Sequence, residues 1–296
     1  MSSTGEFNFP KQTPLYFAAN RNRYYRQEWI KDIEKLTGRR IIVYVSNFHH
    51  SNSSISRDDV LPFSELIHDL EDDSEVDFLL HTPGGDPNAA EQLVNTLLPK
   101  IKHLRVVVPL TAKSAGTMIS LFADEIVMGD SSELGPIDPQ VPIRNMQGIM
   151  TYRPAKAFLK GLEAIQAEVI KNNGNLNPTY FPILQSVDAA FIQFCRQAED
   201  HARNIAERWL LRSMCIGDAQ KARDIADQLL DIEKYPNHGS VINWSEAESL
   251  GLKVRYYQIN DTVWEAYWRL MSIYLTDMQT QGLAKVFEGS KNSVSV

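Results

Sequence analysis

The sequence predicts an α/β fold with a largely parallel sheet. Two patterns carry this. Between residues 41 and 128, short β-branched runs alternate with segments of helical period, as strand–crossover–strand units require. Beyond about residue 150 the period turns mostly helical. Composition agrees: the 296 residues are 43% hydrophobic and 23% charged, as in an ordinary globular chain large enough to bury a core.

Residues 1–14, rich in Ser, Thr, Gly and Pro, read as a loose arm. From 20 to 36 the residues Tyr24, Trp29, Ile30, Ile33 and Leu36 recur at helical spacing, and Thr37-Gly38 ends that helix. The run 41–45 is a buried strand. Residues 49–56 form a polar loop, whose His49 and His50 lack a third metal ligand at any useful spacing. The segment 61–70 reads as helix, 76–80 as strand and 88–101 as amphipathic helix. Next come strand 104–110, short apolar helix 115–122 and strand 125–128. Helices follow at 155–170, 187–214, 218–230 and 262–280, and residues 289–296 read as a polar tail. The body of the chain, 15–288, is expected to be one domain with a helical C-terminal region.

Several function classes are excluded. With 30 basic and 37 acidic residues the net charge is −7, which opposes broad nucleic-acid binding. Cys195 and Cys215 are the only cysteines, and they match neither a disulfide framework nor a zinc site. No apolar run approaches a membrane span and the N-terminus lacks a signal-peptide core, so the expectation is a soluble cytoplasmic protein.

Three segments follow predicted strands, where parallel α/β sheets place their sites. His81-Thr82-Pro83-Gly84-Gly85-Asp86 has paired glycines, whose amides can approach a ligand closely; read blandly, it is a strand-to-helix turn with Asp86 at the helix start. Thr111-Ala112-Lys113-Ser114-Ala115-Gly116-Thr117 puts Ser114 at a helix start, as a simple N-cap or as a nucleophile among free amides. The third segment, Asp130 to Gln140, holds Gly135-Pro136-Ile137-Asp138-Pro139.

Together these segments resemble the serine dehydrogenase proteinase family, within the wider Clp-protease/crotonase-like fold that includes signal peptide peptidase A. The resemblance runs from about residue 20 to 253. It is most specific between Thr82 and Gln140, and weaker in Asn237-His238-Gly239-Ser240-Val241-Ile242. It implies a spiral of ββα units and peptide-bond hydrolysis by a serine, with no metal or organic cofactor. Ser114 matches the nucleophile; Gly84 or Gly85, with Ala115, match the oxyanion hole. In the Clp proteolytic subunit a histidine follows the serine, whereas the corresponding stretch here has none.

Two bases remain. Lys156, in Arg153-Pro154-Ala155-Lys156, stands at a separation from Ser114 similar to that of the Ser–Lys dyad in archaeal membrane-associated relatives of signal peptide peptidase A. A lysine base needs its pKa lowered from ~10.4 toward ~7–8, which burial and the charges of Lys113 and Arg153 could favour. His238 needs almost no adjustment. Asp138 could orient either one; Lys160 is a weaker candidate. The expected partners are a peptide or protein substrate and further copies of the chain in a closed homo-oligomer. Other readings are an acyl-CoA hydratase or isomerase, using Asp138 or Glu133 as base, and an inactive scaffold.

Overall fold

A computed structural model describes residues 12–144, 148–185 and 188–296. The chain begins with α1 (Pro14–Ala19), α2 (Arg21–Thr37), β1 (Arg40–Ser46), α3 (Val60–His68) and β2 (Ser74–His81). It continues through α4 (Pro87–Leu97), β3 (Ile101–Val108), β4 (Thr111–Ala112), α5 (Ala115–Leu121), β5 (Glu125–Met128) and β6 (Glu133–Leu134). Then come β7 (Gln140–Arg144), β8 (Met150–Pro154), α6 (Ala155–Lys171), α7 (Phe181–Gln185), α8 (Ala189–Arg212) and α9 (Ala219–Leu229). The last elements are α10 (Trp244–Ser249), β9 (Val254–Tyr256), α11 (Thr262–Gln281), β10 (Lys285–Gly289) and β11 (Ser293–Ser295). These form two compact units: one up to Leu134 and again from Val241, the other Gly135–Ser240.

The first unit is built on a seven-stranded sheet of order β11-β10-β1-β2-β3-β5-β9. The strands β1, β2, β3, β5 and β9 are parallel, and β10 and β11 continue the sheet antiparallel beyond β1. Alternate residues face opposite sides, as the strand period of two requires. Val43, Leu79, Val107 and Val127 meet Ile30 and Ile33 of α2 and Trp264, Tyr267 and Tyr274 of α11. On the other face Phe78 packs on Phe63 of α3, with ring centroids 5.5 Å apart. Gly38 ends α2 in the left-handed region (φ 70°), where its amide reaches the Glu34 carbonyl, the role expected for Thr37-Gly38.

A second, short ladder crosses the ends of the main strands. It pairs Ile55 with Gly85, Thr82 with Ala112, β4 with β6, and Leu134 with Ile242. Long strand, short strand and helix therefore recur, as in β3–β4–α5. This is the ββα unit implied by the resemblance.

The second unit holds the β7–β8 hairpin and helices α6 to α9. Val141, Ala155 and Cys195 form a small core there, with Phe158, Leu159 and Phe191 against it.

Several boundaries differ from expectation. The helix expected over 88–101 stops at Leu97, a 3-10 turn occupies Leu98–Lys100, and Ile101 already belongs to β3. Pro99 lacks an amide donor and breaks the helical ladder. The expected tail at 289–296 contains β11, whose Phe287↔Val294 register extends the sheet. The expected arm at 1–14 lies mostly outside the described residues, as does Val187, where the long helix was expected to start.

Candidate active site

In the first unit the chain leaves β4 and turns sharply into α5. Ser114 sits on that turn with φ 50° and ψ −114°, outside the regions that non-glycine residues ordinarily occupy. Such strain persists only where the surroundings enforce it, and it concentrates at functional sites. Ser114 holds the N-cap position, yet its side chain makes no capping bond. The simple N-cap reading is therefore not its role. Instead the turn is held from elsewhere: Thr117 Oγ1 donates to the Ala112 carbonyl at 2.7 Å. A Cβ on Gly116 would lie 2.5 Å from Thr82 Cγ2, so only glycine fits there.

The Thr82–Asp86 turn packs onto this serine. A Cβ added to Gly84 (φ 96°) would come within 2.8 Å of Ser114 Cβ and 2.7 Å of the Lys113 carbonyl. The Gly84 amide donates to Thr82 Oγ1 at 3.2 Å, and its carbonyl accepts from Ile55 at 2.8 Å. Among the described residues the amides of Gly85 and Ala115 donate to no acceptor. Asp86 caps α4 through the Asn88 amide at 2.9 Å, its bland reading. Lys113 turns to Glu133 (3.2 Å) and the Leu134 carbonyl (2.9 Å); burial lowers its pKa, and Glu133 opposes that. Glu133 also accepts from Thr111 Oγ1 at 3.1 Å.

His81, at the end of β2, has no assigned role in the sequence reading. It is buried and stacked on Phe48, with centroids 4.5 Å apart and planes 2° from parallel. Its Nδ1 has no partner among the described residues, and burial pushes its pKa down to about 4.

In the second unit Asp138 is 2% exposed and meets His238 Nδ1 at 2.7 Å. Gln140 Nε2 holds the other Asp138 oxygen at 2.6 Å. This holds the imidazole through Nδ1, an arrangement that would suit a base with its orienting acid. Lys156, in the first turn of α6, makes one hydrogen bond among the described residues, a long one of 3.4 Å to the Leu230 carbonyl. It lines a cleft of about 330 Å³ with Leu159, Lys160, Arg196 and Glu199. Lys160 is held by Glu233 at 2.5 Å. The structure thus brings Asp138 to His238, and sets Lys156 beside a buried glutamate.

Residues 55–290 match the family of ClpP-like SDH-type serine proteinases. The chain belongs to that family. Two uncharacterized proteins of Methanocaldococcus jannaschii are similar to this chain. One is 29% identical over 210 residues, covering 71% of this chain and 62% of the relative. The other is 31% identical over 126 residues, covering 39% and 42%. The chain thus spans less than two thirds of the length of either. Among solved structures, two mutant forms of the 1510-N membrane-bound stomatin-specific protease are similar at 16% identity. One has a TM-score of 0.42 and covers 71% of this chain and 76% of that one. The other, in complex with a substrate peptide, has a TM-score of 0.39 and covers 71% and 72%.

One feature of this chain is absent from the sequence analysis. Glu199, on α8, is 6% exposed. The signal was present: Cys195, Glu199, Ala202, Ala206 and Trp209 step by three and four along the buried stripe of α8. Among the described residues no group of three His, Cys, Asp or Glu side chains could hold a metal ion. Cys195 and Cys215 are buried, and no described helix is long and apolar enough to cross a membrane.

Proposed function

We propose that this chain is a serine-type endopeptidase. Ser114 attacks the scissile carbonyl, the amides of Gly85 and Ala115 hold the oxyanion, and His238, oriented by Asp138, takes the serine proton. His238 then returns that proton to the departing amine, and water hydrolyses the acyl-enzyme by the same route. The observation that carries the reading is the strained, uncapped Ser114, with two undonated amides beside it. An amide that waits without an acceptor gains its partner only as negative charge develops, which is what accelerates acyl transfer. The Asp138–His238 contact of 2.7 Å supports the choice of base.

Lys156 is the second reading for the base. Its ammonium is committed to no ion pair among the described residues, unlike those of Lys113 and Lys160.

The test is intact mass after exposure to a fluorophosphonate. One adduct per chain, absent in Ser114→Ala, is the expected result; no adduct on the folded wild type overturns the reading. His238→Ala and Lys156→Met then separate the bases. Loss of the true base slows labelling by roughly 10²–10⁴-fold, while the other variant keeps a rate near wild type.

A further inference from the structure

Glu199 is buried on α8, with Oε1 sealed from solvent and lacking any hydrogen-bond partner in the described structure. A carboxyl in that condition is costly to keep charged and wasteful to keep for packing alone. It lines the same cleft as Lys156. The other charges around it are mostly committed. Arg203 is taken by Asp227 at 2.8 Å, and Lys160 by Glu233. Arg196 is exposed on the rim, and Glu163 and Asp200 complete the lining. Lys156 is the half-buried cation left facing it.

We propose that Glu199 is a positioning residue of the peptidase site, whose carboxyl sets the charge carried by Lys156. This deepens the function proposed above and rests on it. Burial pushes the Glu199 pKa up to about 7; Lys156 and Arg203 oppose that rise, whereas Asp138 and Asp200 add to it. The group therefore changes charge near neutrality. Ionised, it favours the ammonium form of Lys156. Protonated, it leaves Lys156 without a counter-charge, and the amine gives up its proton more readily. If Lys156 is the base, this sets the pH at which it can act.

The experiment is the pH dependence of Ser114 labelling in the full chain. Glu199→Gln is expected to move the acid limb down by roughly one pH unit, and Glu199→Asp to keep it near the wild-type position. A limb unmoved by Glu199→Gln overturns the proposal, since a merely structural glutamate would change yield or stability and not the midpoint. A second measurement needs no variant at residue 199: ¹³C carboxyl titration of the glutamate-labelled wild type and of Lys156→Met. One glutamate titrating near neutrality, and higher still once Lys156 is gone, supports the proposal. All glutamates titrating in the ordinary carboxylate range overturn it. A wild type that never labels overturns the peptidase reading instead, and the carboxyl titration still judges Glu199.

Discussion

The backbone at Ser114 carries a cost that the rest of the first unit sustains. A side chain at φ 50° and ψ −114° is strained by about 1–3 kcal/mol. Ser114→Gly relieves that strain while giving back some chain entropy in the unfolded state. The variant should be about 1 kcal/mol more stable in urea and fail to label; a variant no more stable than wild type removes the strain argument. His81 makes a pH prediction. Its folded pKa of about 4 lies below the unfolded value of 6.5, so the unfolded chain binds the proton first. Its contribution is complete above pH 6.5 and is lost as pH falls from there toward 4. His81→Phe keeps the ring over Phe48 and removes the titration, so its stability should fall less than that of wild type between pH 6.5 and 5. Ser114, Gly84, Gly85, Ala115 and Asp138 stand out in the sequence as candidates because the turns that hold them are local. Which glycine amide is undonated was not, because it depends on where Ile55 and Thr82 bond.

At the scale of elements, apolar runs found the four central strands and missed the flanks. β10 reads Lys285-Val286-Phe287-Glu288-Gly289, and all five residues are buried. Its charges hid it from a hydrophobicity pattern. Each is neutralised from far along the chain: Lys285 by Asp59 at 2.6 Å, Glu288 by Arg26 at 2.7 Å. The sheet interior uses the same device at Asp77 on β2. Its carboxylate accepts from Arg39 Nε (2.6 Å), from Arg105 Nε (2.7 Å) and from Tyr267. Removing one member of such a cluster leaves buried charge uncompensated. Asp77→Ala is therefore expected to cost about 3–5 kcal/mol, read as a lower urea midpoint at unchanged slope. A change within the scatter of surface substitutions would mean that the arginines find water instead.

For the molecule as a whole, the homo-oligomer expected from the sequence gains a motive in the second unit. Phe181, Ile183 and Phe194 are each 50% exposed there, apolar surface that a second copy could cover. We propose that copies of the chain associate in a closed ring or dimer. Light scattering should then return a multiple of 33.6 kDa at micromolar concentration, and a single-chain mass would dismiss the idea. By itself the sequence determined the α/β alternation, the end of α2 at Thr37-Gly38 and the three strand-end segments proposed to carry the chemistry. Those features follow from period, capping and turn geometry, which act within a dozen residues. Tertiary structure alone decided that Asp138 meets His238 a hundred residues away, that Glu199 is buried beside Lys156, and that the last residues close the sheet as β11. Each of these depends on long-range burial, which shifts charge and pairs strands irrespective of their local pattern.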